Sequence, residues 1–195
     1  MALIWRGYKK YFLTWILDPC IILLYKQKRR KNPVLDILEK LLEDIRPTAP
    51  GSRLLKYAGI AASQQSVVIQ VGNRLEKFWN ETTDTLDDSA TDRQVDFFFE
   101  KGGVKYYYEL KCNTGLDSEK LRASNQKIET VTKELGADVS GYFNPTSPED
   151  YYESKIKHNI LGVKSMVKLL NTPFTAEEYE KVLSTKVKEK LNMIC

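Results

Sequence analysis

Stretches of helical periodicity flank two short aromatic runs near the middle of the chain. Asn32 and Pro33 suit a helix N-cap and first turn, and Val34, Leu35, Leu38, Leu41, Leu42 and Ile45 then recur at helical spacing up to Pro47. After a Thr-Ala-Pro-Gly loop at 48–51, a second helix is expected over 53–62. A third is expected over 63–80, with Val67, Val71, Leu75 and Phe78 on one stripe and Trp79 in the core. The acidic segment 81–92, rich in Thr and Asp, reads as a mobile surface loop. Segments 93–100 and 104–111 read as strands, and Lys101-Gly102-Gly103 between them suits a tight hairpin turn. A helix from about 118 to 135 is stopped by Gly136, and a strand at 139–143 ends at Asn144-Pro145. The remainder reads as mostly helical, with a capping box from Thr175 to Glu178 opening the last helix. This helix–strand–strand–helix–strand order predicts an α/β chain. The whole of 1–195 is read as one domain: a helical part (1–62), a core (63–145) and a second helical part (146–195).

The chemistry lies on the two strands. Side chains alternate along a strand, so Glu109 and Lys111 share one face, as do Gln94 and Asp96. If the hairpin brings those faces into register, two carboxylates and an ammonium converge. Such a group can hold a hard divalent cation with a water beside it, which suggests phosphodiester hydrolysis. Taken alone, the triplet also fits a polar strand face with a cross-strand charge pair. Its context favours chemistry: Asp96 precedes Phe97, Phe98 and Phe99, and a carboxylate in apolar surroundings is costly unless a charge or metal pairs with it. Tyr106 and Tyr108 are expected in the core, with Tyr107 bordering the site.

Asp96 followed by Glu109-Leu110-Lys111 resembles the signature of the PD-(D/E)XK nuclease superfamily. The longer runs Arg-Gln-Val-Asp (93–96), Glu-Leu-Lys-Cys-Asn-Thr-Gly-Leu-Asp-Ser-Glu-Lys (109–120), Gly-Asn-Arg-Leu-Glu (72–76) and Gly-Tyr-Phe-Asn-Pro (141–145) resemble type II restriction endonucleases. The resemblance covers about 67–145, and Val95 stands where the family name has proline. It implies a restriction-endonuclease-like core, a small mixed β-sheet flanked by helices on both faces. Asp96, Glu109 and the Leu110 carbonyl would be ligands of Mg2+. Lys111 would hold water or stabilise phosphate charge. Glu76, on the preceding helix, would complete the metal site, and a solvated surface glutamate fits it equally. Gln94, from its place beside Asp96, reads either as orienting a carboxylate or water or as a surface glutamine. The region after Lys111, with Asn113, Thr114, Lys120, Arg122, Gln126 and Lys127, would face the cleaved strand of double-stranded DNA. The resemblance further implies a homodimer on a palindromic site and a companion methyltransferase acting on the same site.

Composition narrows this reading only slightly. Thirty Lys and Arg against 26 Asp and Glu give a net charge of +4, too mild to announce a nucleic-acid binder by itself. The basic run 26–31 is a further candidate for phosphate contact, though a solvated face is the favoured reading, and a solvated helix face explains the charges after Lys111 equally well. Cys20, Cys112 and Cys195 are widely spaced, which argues against a zinc site or a disulfide framework and fits a reducing cytoplasm. Cys112 is expected as a buried small hydrophobe. His158 is the sole histidine and is expected at the surface, so histidine-centred catalysis has no support. The apolar segment 11–25 is broken by Asp18-Pro19 and falls short of the roughly 18–20 residues of a spanning helix. It reads as a helix packed on the domain or on a second subunit, without stable membrane association. A repair or junction-resolving nuclease, a non-catalytic DNA-binding or interaction protein on the same scaffold, and a membrane-associated protein using the N-terminal segment are the rival readings.

Overall fold

The computed structural model describes residues 32–48, 64–112, 118–152, 156 and 158–193. The expected helix at 53–62, the apolar segment 11–25, the basic run 26–31 and the turn residues Asn113 and Thr114 lie outside the described residues. The elements are α1 (Pro33–Glu43), α2 (Gln64–Glu81), β1 (Phe97–Lys101), β2 (Val104–Leu110), α3 (Ser118–Leu135), β3 (Val139–Phe143), β4 (Ile160–Leu161), α4 (Val163–Leu170) and α5 (Ala176–Asn192). The sheet is mixed and runs β1-β2-β3-β4. β1 and β2 are antiparallel, and β3 and β4 follow in parallel. The chain is therefore α/β with a small four-stranded mixed sheet and, among the described residues, five helices.

Strand alternation sorts the sheet into two apolar layers. Phe97, Phe99, Tyr108 and Phe143 join side chains of α1, α2, α4 and α5 in the larger core. Phe98, Tyr107, Tyr142 and Ile160 face the other way, onto Leu121, Ile128, Val131 and Leu135 of α3. Helices thus cover both faces, and α3 is the crossover between parallel β2 and β3. Trp79 is fully buried, as its sequence context predicts, and its indole N–H donates to the Tyr179 hydroxyl at 3.3 Å.

The hairpin turn is tighter than expected. Lys101 belongs to β1 and pairs with Val104, which leaves Gly102 and Gly103 as the two turn residues. Their φ values of 61° and 79° are the left-handed pair that a two-residue hairpin demands. Other boundaries also shift. β1 begins at Phe97 rather than at 93, so Asp96 stands just ahead of the strand. α1 ends at Glu43, short of Pro47. The Glu43 carbonyl accepts from Lys190 Nζ at 2.6 Å and Arg46 Nη1 at 2.9 Å, and Gln70 holds both backbone groups of Arg46. The predicted capping box on α5 is present in both its hydrogen bonds. Strand β4 has no counterpart in the sequence reading, because two residues are too few to show a period.

The acidic loop after α2 is held to the sheet edge. Thr85 bridges to Phe99, and the Leu86 N–H donates to the Phe98 carbonyl at 2.8 Å. His158 is half-buried, edge-on to Tyr142 at 6.2 Å, rather than at the surface. Cys112 is half-buried against the larger core, and burial pushes its thiol up to about 11, as suits an unreactive small hydrophobe. Among the described residues no helix is long and apolar enough to cross a membrane.

Candidate active site

The hairpin register pairs Phe97 with Tyr108, so the next pair outward is Asp96 with Glu109. Both turn toward the α3 layer, where each meets Lys127 of that helix. The Leu110 N–H donates to Asp96 Oδ2 at 3.0 Å, and Asn80, near the end of α2, donates its side-chain N–H to the Asp96 carbonyl at 2.9 Å. Asp96 is thereby fixed although it lies outside the strand. Both acids are buried, with 7 % of Asp96 and 2 % of Glu109 exposed.

Glu109 is the hub. Its Oε1 accepts from Lys111 Nζ at 2.8 Å. Its Oε2 accepts from the Tyr107 hydroxyl at 2.9 Å and lies 2.6 Å from Lys127 Nζ. Lys127 also stands 3.5 Å from Asp96 Oδ1. The pair and two ammonium groups therefore meet at one point. It lies where β1 begins and β2 ends, beneath α3.

Electrostatics divides the two acids. Burial raises the carboxyl of Asp96, Glu109 raises it further, and Lys127 and Lys111 only partly offset this. Burial opposes ionisation of Glu109 as well, yet Lys111 and Lys127 outweigh it and hold this carboxyl below its ordinary value. Glu76, on α2, is raised by partial burial and by the fields of Asp96 and Glu109, so it belongs to the same electrostatic cluster. Burial would lower Lys111, but its bond to Glu109 and the charges of Glu109, Asp96 and Glu76 raise it above its usual value. A lysine so held keeps its proton, and its chemistry is that of a charge and a hydrogen-bond donor, not of a base.

Asp96, Glu109 and Lys111 converge, with Glu76 within reach of their field. Leu110 ends β2 beside Asp96. Gln94 does not share a strand face with Asp96: β1 starts after both residues, and Gln94 is exposed in the preceding loop. Lys120, Arg122 and Gln126 are exposed on α3, in keeping with a solvent-facing or phosphate-facing surface. Lys127, expected among the DNA contacts, instead turns under the helix into the acidic pair. It stands next to fully buried Ile128, which places it at the edge of the inward face of α3. Tyr107 and Asn80 are further site residues. The alternation that puts Tyr107 on the Glu109 face was the signal for the first, and nothing in the sequence marks the second.

Among the described residues no three His, Cys, Asp or Glu side chains form a metal-holding group. Asp96 and Glu109 are a pair of hard oxygen donors, and with Glu76 the cluster sets three acids against two ammonium groups, a donor set that fits a small divalent cation. If a cation binds there, affinity should fall on acidification from a pH above the ordinary aspartate value of 3.8, because Asp96 and Glu76 hold their protons more tightly than usual. Lys111 imposes no loss on the alkaline side below its usual 10.5. Calorimetric Mg2+ titrations across pH test both limbs, and a loss of binding between pH 7 and 9 would contradict them. Compared with protein-family models, characterised proteins and solved structures, the chain has no match.

Proposed function

We propose that this protein is a magnesium-dependent endonuclease of double-stranded DNA, with a restriction-endonuclease-like core and the PD-(D/E)XK arrangement of Asp96, Glu109 and Lys111. The observation that carries the reading is the meeting of a buried carboxylate pair with a protonated lysine at the end of a hairpin. A cross-strand charge pair would need one acid and one base. Here three acids, Glu76 among them, share two ammonium groups and Asp96 is held above its ordinary value, and such strained ionisable clusters gather where function needs them.

In this reading Asp96 and Glu109 present carboxylate oxygens, with the Leu110 carbonyl as a further donor. A bound Mg2+ would polarise the scissile phosphate and lower the pKa of a coordinated water. Lys111 donates toward the attacking water or the phosphate oxygens, where charge builds in the transition state. Tyr107 keeps Glu109 oriented through its hydroxyl. Glu76 adds negative charge on the α2 side. The exposed Lys120 and Arg122 neutralise DNA phosphates, and base-edge contacts confer any sequence choice. A type II restriction enzyme acting as a homodimer is the form of this activity we favour.

Purified protein incubated with supercoiled plasmid and Mg2+ tests the reading. Linear or nicked products should form, and EDTA should prevent them. Intact plasmid over a range of DNA sequences, Mg2+ and Mn2+ concentrations would overturn the nuclease assignment. Sequencing the product ends would then separate fixed-site cutting from the structure-selective cutting of a repair or junction-resolving nuclease.

A further inference from the structure

We propose that Lys127 is an internal counter-cation that occupies the metal position between Asp96 and Glu109 and must withdraw when a divalent ion binds. The inference rests on the metal reading of this site and adds a residue that the sequence signature does not contain.

The oxygens of the pair are already divided. Asp96 Oδ2 accepts from the Leu110 N–H, and Glu109 Oε1 accepts from Lys111. Asp96 Oδ1 and Glu109 Oε2 face one shared cation, the Lys127 ammonium, at 3.5 and 2.6 Å, and the second lone pair of Oε2 accepts from the Tyr107 hydroxyl. A metal bridging the two acids needs the same space. Lys111 reaches Glu109 from the other oxygen and can stay.

Charge points the same way. Glu76, Asp96 and Glu109 carry three formal negative charges against the positive charges of Lys111 and Lys127. A divalent ion beside Lys111 alone neutralises the cluster. With Lys127 still in place, the same ion would leave the cluster net positive, and two cations would be pressed together in a poorly solvated space. The tether permits withdrawal. Ile128 and Val131 anchor the helix backbone in the core, whereas the Lys127 side chain keeps 21 % exposure and a flexible four-carbon stem. In the metal-free state Lys127 steadies the repelling carboxylates. On metal binding it is released toward solvent, where a phosphate can receive it.

Mn2+ titration calorimetry on the full chain and on Lys127→Met tests the exchange. The variant should bind at least about tenfold more tightly, because one competing charge is gone. In wild-type protein the Lys127 side-chain NMR signal, assigned by through-bond correlation to its own backbone, should shift on saturation with diamagnetic Mg2+. An unmoved Lys127 signal at saturation overturns the proposal even if the variant folds poorly, and so do equal affinities. Asp96→Asn is the control that ties the heat to this site. Absence of metal binding in both wild type and Lys127→Met would overturn the metal reading itself, a result distinct from equal affinities.

Discussion

Glu109→Gln should reduce Mg2+-dependent plasmid cleavage by about two to three orders of magnitude and should also destabilise the metal-free protein. The carboxylate accepts from Tyr107 and Lys111 and pairs with Lys127. The isosteric amide can serve one side of that set only, and its own N–H groups then face a donor. A buried donor left without an acceptor costs about 1–3 kcal/mol. Asp96→Asn should abolish cleavage equally, with the opposite effect on stability. The folded carboxyl of Asp96 is raised, so ionising it works against the fold at neutral pH, and a neutral side chain relieves that burden. The sign for Glu109 is reversed. Its depressed carboxyl lends stability above its unfolded pKa, and that stability is lost as pH falls through the folded value. Urea unfolding at pH 7 without metal, with plasmid assays on the same preparations, checks the pair. Wild-type cleavage by either variant would remove these acids from the mechanism.

Trp79→Ala should have the largest effect on stability, about 3–5 kcal/mol. That is a large share of the 5–15 kcal/mol typical of a whole domain. Trp79 stands edge-on to Phe143 at 5.0 Å and Phe78 at 5.5 Å, with Tyr179 at 5.4 Å, so it ties α2 to both the sheet and α5. Removing the ring opens a cavity among side chains that are themselves fully buried. The urea midpoint should fall sharply, and a folded remainder should also lose cleavage: the next residue, Asn80, holds the backbone of Asp96. An unfolding free energy within about 0.5 kcal/mol of wild type would show that the core closes over the gap.

The hairpin and its two acids were legible because three local signals agree: aromatic-rich strands, a glycine pair and side-chain alternation. Gln94 shows where such reasoning stops. Alternation holds only inside a strand, and β1 begins after Asp96, which is fixed by Asn80 and Leu110 instead. Lys127 was readable as a basic position on a helix. Its inward turn was not, because a helix period ranks faces without saying which polar residue at the border will meet a charge across the interface. Glu76 was legible as a residue of α2, yet its link to the acids depends on how that helix meets the sheet. β4 and the pinned 82–96 loop form only through pairing with strands distant in sequence, and short polar segments carry no trace of that.

The two-residue glycine turn has a kinetic consequence. Hairpins close in about 1–10 μs, and the span that unites the acids is short: Leu110 and Asp96 bond across fourteen positions. Lys127 arrives only with the crossover helix, thirty-one positions from Asp96. If the hairpin closes first, the two carboxylates meet with Lys111 as their one ammonium, and the second charge is answered only when Lys127 docks. Added salt should therefore speed refolding through this step, by shielding a repulsion that the finished molecule has already answered.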